Sequence, residues 1–239
     1  NMERGRSRKA RSGCLGRIFG FVLFLIVAAV GVIAAVKYMP SRERADLDAL
    51  YAAGGSDRVA LYLNYERQEE SGVYVDGQTY LPAAWVDANL NERFYWDANE
   101  EILVYALPEE IVKSDETTVD EDGKKILYRD GDAVYLSLAL IQKYTDVRLQ
   151  AYDGEAQKRV FVENNWDPVT VADAAWSAKI RLRGGLKSPI VTEIKRGGTV
   201  TVLEQYDNWA RVMTPDGHIG YMHKWKMKNL HEETLKSDF

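Results

Sequence analysis

The sequence IFGFVLFLIVAAVGVIAAV, Ile18–Val36, decides how the rest of this chain has to be interpreted. It has 19 residues without a charged side chain, and 13 of them are Ile, Leu, Val or Phe. As a helix this run spans about 28 Å, which matches the hydrocarbon core of a bilayer. Each large apolar residue favours insertion at mid-membrane by about 0.3–0.6 kcal/mol. We therefore expect one transmembrane helix over 18–36, with the lipid bilayer as its partner.

Basic side chains precede this run. They are Arg4, Arg6, Arg8, Lys9, Arg11 and Arg17. Because basic flanks stay on the cytoplasmic side, 1–17 is predicted to be a cytoplasmic tail, and everything after the helix is predicted to be extracellular. A cleaved signal peptide is the alternative, since Val27–Ala29 is typical of a cleavage site, but the apolar run continues for seven residues beyond it. The sequence therefore favours a single-pass protein of the cell membrane.

The chain beyond position 40 is acidic. It has 24 Lys and Arg against 35 Asp and Glu, a formal charge of −11. Affinity for nucleic acid comes from neutralising phosphates with basic side chains, so no nucleic-acid partner is expected. The one cysteine in the sequence, Cys14, comes before the apolar run. The exterior portion must therefore be held together by packed cores, without disulfides.

Residues 37–56 are predicted to form a helical juxtamembrane linker. The helix is expected over Ser41–Ala53, with Ser41 as N-cap and Gly54 ending it. Its apolar stripe consists of Leu47, Leu50 and Tyr51. Such a segment would lift the next domain off the lipid surface.

Residues 57–166 contain one unit twice. Asp76-Gly77 and Asp130-Gly131, which are 54 residues apart, each lie between two short strand patterns, and Asp-Gly is typical of a tight hairpin turn. A short helix is predicted after each hairpin, over Ala83–Asn89 and Ser137–Tyr144, and further strands follow each helix. Since a unit of this size cannot bury its apolar face alone, the two copies are predicted to form one duplicated α+β domain.

A different pattern begins near Trp166. Short strands are predicted at Val169–Ala172, Ser177–Arg183, Val191–Ile194, Thr199–Glu204, Trp209–Thr214 and Gly217–Met222. This spacing of strands and turns is typical of a small β-barrel, placed at 167–231, with 232–239 as the start of a linker or tail. The expected fold class is therefore multidomain and β-rich, with one transmembrane helix, a duplicated α+β domain and a small barrel.

Four groups of residues within Ile180–Leu230 carry a family resemblance. They are Arg181-Leu182-Arg183, Lys195-Arg196-Gly197-Gly198, Trp209 with Val212, and Asp216-Gly217-His218-Ile219-Gly220-Tyr221. With these residues the segment resembles a bacterial SH3-like domain. The resemblance implies a small barrel with a groove between loops that can bind peptides or wall stem peptides.

The duplicated unit resembles, more loosely, the domain named after the N-terminal region of copper amine oxidases, a non-catalytic stalk that carries no copper. With Arg93-Phe94-Tyr95-Trp96-Asp97 and Leu186-Lys187-Ser188, the order anchor, stalk, SH3-like domain is similar to the N-terminal half of clostridial cell-surface family 18 glycoside hydrolases. In that family a TIM-barrel hydrolase with an Asp-x-x-Asp-x-Asp-x-Glu strand follows. That motif does not occur in this sequence, so no catalytic residue can be assigned here from the resemblance. The resemblance therefore implies that the hydrolase is encoded beyond Phe239.

Clusters of titratable residues lack the spacing of catalytic or metal sites. The acidic segment Asp115–Lys125 does not have the ligand order of a calcium loop. Asp97, Glu100 and Glu101 are predicted to lie on a hairpin turn, not in a cleft, which disfavours a glycosidase pair. The histidines, His218, His223 and His231, are expected to be structural or at the surface. No catalytic residue, metal or cofactor is therefore expected.

Three aromatic residues of the barrel, Tyr206, Trp209 and Tyr221, are the candidate ligand-binding residues. Aromatic faces stack on sugars or prolines at little entropic cost. Trp209 could instead be packed in the core, and that alternative stays open. The expected ligand is peptidoglycan or another wall glycan or peptide. Two hypotheses follow: the chain positions a family 18-type hydrolase at the surface, or it is a complete non-enzymatic tethered binding or scaffold protein.

Overall fold

The computed structural model describes residues 13–52, 54–154 and 156–235, with side chains from Ile18 onward. The chain divides into two compact units, of which the first ends at Ser41 and the second begins at Arg42. Helix α1 (Gly13–Tyr38) belongs to the first, and its segment Ile18–Tyr38 has a mean hydropathy of 2.9. By length and composition this helix could cross a membrane, although a signal sequence would pass the same test. The basic residues at 4–11 lie outside the described residues.

The juxtamembrane helix is much shorter than predicted. Helix α2 (Leu47–Leu50) begins after Asp46, whose carboxylate accepts a hydrogen bond from the Ala49 N–H at 3.1 Å, so Asp46 and not Ser41 is the N-cap. The segment before it is extended because it pairs with a strand of the barrel. The Ala45 N–H donates to the Ile190 carbonyl, and the Ile190 N–H donates to the Glu43 carbonyl, both at 2.8 Å. Ala53, the expected helix end, lies outside the described residues.

Residues 58–163 form an α+β domain. Its elements are β1 (Arg58–Leu63), β2 (Glu66–Val75), β3 (Gln78–Pro82), α3 (Ala83–Asn89), β4 (Phe94–Asp97), β5 (Ile102–Ala106), β6 (Ile111–Ser114), β7 (Leu127–Asp130), β8 (Ala133–Ser137), α4 (Leu138–Tyr144), β9 (Arg148–Tyr152) and β10 (Arg159–Glu163). In the described part, one sheet has the order β7-β8-β3-β2-β1-β10-β9, and β4-β5-β6 form another. Strands β1 and β10 are parallel, whereas the other neighbours are antiparallel.

The two copies of the repeated unit meet within the larger sheet, at the pairing of β3 with β8. Strands β3 and β8 pair antiparallel, with Leu81 opposite Leu136 and Tyr80 opposite Ser137. Since Leu81 and Leu136 occupy equivalent positions in the two copies, this pair lies on a local two-fold axis. The copies differ after their helices: the strands after α3 form the separate sheet, whereas β9 and β10 join the larger one.

Strand β1 is buried on both faces, not on one. Val59 and Leu61 lie in the main core of the α+β domain, whereas Ala60 and Tyr62 lie in a second cluster with Met213 of the barrel. Leu63 also packs against the main core, so Val59, Leu61 and Leu63 share one face of the strand. The barrel covers the opposite face, where Ala60 and Tyr62 lie.

The barrel contains the strands β11 (Val169–Ala174), β12 (Ala178–Arg181), β13 (Ile190–Ile194), β14 (Thr199–Gln205), β15 (Trp209–Met213), β16 (Ile219–His223) and β17 (Met227–Glu233). Their order in the sheet is β13-β12-β16-β15-β14-β11-β17. The sequence did not predict β17, which pairs with β11 and extends two residues past the boundary at 231. With this sheet, the predicted β-rich, multidomain fold class is confirmed.

The linker and both domains share one buried cluster. Tyr62 and Phe161 stack with ring centroids 4.6 Å apart, and Met213 and Tyr51 complete the cluster. Leu47 and Leu50 pack against it from α2. The apolar stripe of the linker therefore packs against the two folded domains.

A buried arginine fixes the turn between β15 and β16 in this contact. Arg159 is fully buried, and its guanidinium donates to the carbonyls of Asp216 and Gly217, both at 2.8 Å. The Tyr51 hydroxyl lies 2.7 Å from Nδ1 of the buried His218. Burial raises the pKa of Tyr51, so the phenol stays protonated within this hydrogen-bonded pair. The Asp-Gly-His turn is thus part of the domain contact and is not a free surface.

Candidate functional site

The outer face of strands β15 and β16 carries the candidate site. Ala210 and Val212 point into the barrel core, so strand alternation puts Trp209 and Arg211 on the opposite face. In the antiparallel register Trp209 lies opposite His223, and Arg211 lies opposite Tyr221. Two aromatic rings and an imidazole therefore share one face of this hairpin.

The loops at the ends of this hairpin add two further aromatic residues. Tyr206 comes just before β15, and its ring centroid lies 5.9 Å from that of Tyr221. Trp225 follows β16, 6.2 Å from His223, which in turn lies 4.9 Å from Trp209. We call these five residues, Tyr206, Trp209, Tyr221, His223 and Trp225, the aromatic strip. The structure brings the three predicted site residues onto it together.

Exposure differs along the aromatic strip. Trp225 is 62% and Tyr206 47% exposed, so both offer ring surface to a ligand. Trp209 is half-buried because the backbone of Gly184 covers part of it: a Cβ atom at Gly184 would lie 3.2 Å from the indole Cγ. Trp209 therefore combines the packed role and the surface role that the sequence left as alternatives.

Hydrogen bonds hold the Tyr206 end of the strip in place. Its hydroxyl donates to the Glu204 carboxylate, which raises the pKa of Tyr206 to about 12 and lowers that of Glu204. Arg211 is bound by two carboxylates, those of Glu66 at 2.6 Å and Glu204 at 2.9 Å. The charge of Arg211 is therefore neutralised, and its side chain ties the strip to strand β2 of the α+β domain.

Two lysines give the strip a positive charge, Lys224 at its Tyr206 end and Lys226 beside Trp225. Lys224 Nζ donates to the Tyr206 carbonyl at 3.0 Å, and Lys226 Nζ donates to the Ser177 carbonyl at 3.0 Å. Since these partners are carbonyl oxygens, both ammonium charges remain available to an anionic group. Lys226 also lies 5.3 Å from the centroid of the Trp225 ring. An aromatic surface beside two cations suits a ligand that has both apolar faces and carboxylates.

His223 contributes an imidazole to the strip. Partial burial, with a smaller effect of Lys226, lowers the pKa of its imidazole, so the ring is neutral at pH 7. Within the described part of the chain, its buried Nδ1 has no hydrogen-bond partner. Because this nitrogen is buried, a ligand on the outer face of the strip does not reach it.

His223 and Trp225 were missed as site residues in the sequence. Strand alternation from Tyr221 would have placed His223 on the same face, two residues further on. Trp225 lies in a short 3-10 turn, Lys224–Lys226, for which the sequence contains no periodic signal.

The acidic residues singled out in the sequence shape turns. Asp115 accepts hydrogen bonds from the Thr117 and Thr118 side chains, which lower its pKa. Asp97 accepts from the backbone N–H groups of Asn99 and Glu100. Across the residues that the structure describes, no group of three or more His, Cys, Asp or Glu is placed to hold a metal ion.

Comparison with known protein families assigns the barrel. Residues 176–228 match the family model of the bacterial SH3 domain, which covers about a fifth of the chain. The chain therefore contains a bacterial SH3 domain behind an apolar N-terminal helix. No curated protein matches the chain. The α+β domain lies outside the matched residues, and no glycoside hydrolase is indicated by the match.

Proposed function

We propose that this chain is a membrane-anchored, extracytoplasmic module that holds a cell-wall component on the aromatic strip of its SH3 domain. The module is non-catalytic in itself. The ligand class is peptidoglycan or another wall glycan or peptide. The single observation that carries the proposal is the row of five ring side chains beside two unneutralised lysines.

The chemistry of the aromatic strip supports a stem peptide attached to a sugar as the ligand. Exposed rings such as Trp225 stack on sugar faces, and Lys224 and Lys226 attract the carboxylates of a peptide. The acidity of the chain beyond position 40 would repel an anionic polymer in general. Binding therefore depends on these local contacts and not on overall charge.

The apolar helix supports the membrane part of the proposal. Segment Ile18–Tyr38 is long enough to span the hydrocarbon core, and the basic residues before it favour a cytoplasmic N-terminus. In this arrangement the domains from Arg42 onward face the wall. Protease added to intact cells should then digest the two domains and spare α1.

Titration with a soluble wall fragment tests the site. We expect the full chain in detergent micelles to bind a purified disaccharide-tetrapeptide muropeptide in isothermal titration calorimetry. Trp225→Ala should weaken binding by about two- to twelvefold, because a lost stacking contact is worth about 0.5–1.5 kcal/mol. Tyr95→Ala is the matched control, since Tyr95 is 63% exposed but belongs to the α+β domain. Equal affinity of both variants and the wild type would reject the strip as the site.

A finer form of the proposal adds an enzyme. The order of anchor, duplicated α+β domain and SH3 domain resembles that of family 18 surface hydrolases, so the module would position such a hydrolase, encoded beyond residue 239, on its glycan. The alternative is a non-enzymatic tethered binding or scaffold protein. Sequencing the gene past the Phe239 codon separates them: an open frame with Asp-x-x-Asp-x-Asp-x-Glu supports the first, and a stop codon supports the second.

A further inference from the structure

The α+β domain contains an open groove far in sequence from the SH3 domain. Its volume is about 390 Å³, and it lies between the start of α3, strand β4 and the start of β8. Its lining includes Pro82, Ala83 and Ala84 from one segment and Val134 and Tyr135 from another. A volume of this size accommodates a short stretch of an extended chain or a small ligand.

Two aromatic residues of β4, Tyr95 and Trp96, line the groove. Tyr95 is 63% exposed, and Trp96 is half-buried. The guanidinium of Arg129 already lies 5.5 Å from the Trp96 ring centroid, which shows that this indole can accept a cation. Arg129 itself is neutralised by Glu101 at 3.0 Å and by Glu116 at 3.2 Å.

Three carboxylates surround these rings, and each comes from a different segment. Asp87 lies on α3, Glu92 lies before β4, and Asp132 lies in the β7–β8 turn. All three are exposed, and no ion pair involves any of them within the described ranges. The lining of the groove contains no Lys, Arg or His in that same part of the chain. The groove is therefore an aromatic surface with an unneutralised negative charge.

We propose that this groove binds an extended polypeptide segment that carries several Lys or Arg residues next to proline or aromatic residues. Carboxylates on three separate segments require more than one cation, spaced along a chain, whereas a single amine would leave two of them unneutralised. Basic side chains also interact with the faces of Tyr95 and Trp96. An anionic wall polymer would be repelled. The groove and the aromatic strip thus select ligands of opposite charge.

Fluorescence anisotropy with a synthetic peptide tests this inference. The full chain is placed in phosphatidylcholine nanodiscs, which carry no net charge, and the probe is fluorescein-labelled Lys-Pro-Lys-Tyr-Lys-Pro-Lys. We expect the triple substitution Asp87→Asn, Glu92→Gln and Asp132→Asn to weaken binding at least tenfold. Tyr95→Ala should weaken it about fivefold, a loss that simple attraction between charges does not explain.

A control with the same change in net charge completes the experiment. Glu69→Gln, Glu70→Gln and Glu109→Gln neutralise three exposed carboxylates outside the groove and should change the affinity less than twofold. Equal loss in both triple variants, no loss in the groove variant, or no binding by the wild type would overturn the proposal. Binding of triacetylchitotriose in place of the peptide would also overturn it. Trp225→Ala should leave peptide binding unchanged, because Trp225 belongs to the aromatic strip and not to the groove. Failure of the wall-binding proposal can therefore be told apart from failure of this one.

Discussion

Position 217 imposes two constraints, on backbone conformation and on space, and only glycine satisfies both without strain. Its φ is +72°, in the left-handed region that residues with a Cβ atom adopt at a cost of about 1–2 kcal/mol. A Cβ atom at this position would also lie 2.5 Å from Cε2 of Tyr152 in the α+β domain. The same residue supplies a carbonyl to the buried guanidinium of Arg159. A turn glycine of the barrel is therefore also a contact residue between domains.

Substituting this glycine should destabilise the whole unit. We expect Gly217→Ala to lower the free energy of unfolding by about 2–5 kcal/mol, the sum of the backbone strain and the overpacking against Tyr152. Gly131→Ala is the matched control, because Gly131 has a φ of +62° but no atom within 4 Å of a Cβ. Gly131→Ala should lower the free energy of unfolding by about 1–2 kcal/mol, from backbone strain alone. Urea unfolding measures both, and equal losses would contradict the proposed contact.

The sequence predicted Gly217 as a turn residue but not as a contact. An Asp-Gly pair between two strand patterns predicts a tight turn from local chemistry alone. Arg159 lies 58 residues before Gly217, in the other domain, and no local pattern links the two. For the same reason the histidine of this turn, His218, was predicted to be structural or at the surface, without its partner Tyr51.

Among the elements, the extended linker departs furthest from prediction. The spacing of Leu47, Leu50 and Tyr51 predicts a helix from Ser41 onward, yet the segment Glu43–Ala45 pairs with Ile190 of strand β13. Strand β13 is an edge of the barrel sheet, and an edge strand has free backbone groups that another segment can satisfy. Tertiary pairing thus overrides the helical preference of these residues.

Breaking this pairing should loosen the edge of the barrel locally. Ala45→Pro removes the N–H that donates to Ile190, and we expect the global stability to fall by only about 0.5–1.5 kcal/mol. Amide hydrogen exchange around Ile190 should become at least tenfold faster. Arg44→Ala is the control, since it removes only an exposed ion pair with Glu193. Unchanged exchange in Ala45→Pro would show that the segment is not paired in solution.

For the other elements, the accuracy of the prediction depends on how clear the hydrophobic pattern in the sequence is. Helices α3 and α4 and the strands β11–β16 of the barrel were predicted to within a few residues, because each alternates or repeats buried positions. Strand β17 was missed because Met227–Glu233 is exposed almost throughout, which leaves no buried alternation to detect. Of the aromatic strip, Tyr206, Trp209 and Tyr221 were predicted as ring side chains of the barrel. His223 at the end of β16 and Trp225 in the 3-10 turn were missed.

At the scale of the whole molecule, the two domains form one compact unit from Arg42 onward. The SH3 domain, the linker and the α+β domain share a buried cluster, and Arg211 and Arg159 add polar contacts on either side of it. A fragment that ended between the domains would expose Tyr62, Phe161 and Met213 to water. Tests of function should therefore use the full chain with point substitutions, not isolated domains.

Co-sedimentation with purified peptidoglycan sacculi tests the central claim most directly. The full chain in detergent micelles is mixed with sacculi, and the bound fraction is compared between the wild type, the double variant Tyr206→Ala/Trp225→Ala and the control Tyr95→Ala. We predict that the wild type and the control sediment with the sacculi and that the double variant loses at least four-fifths of the bound fraction. Sedimentation of the double variant at the wild-type level, or a wild type that stays in the supernatant, would contradict a wall-binding role of the aromatic strip.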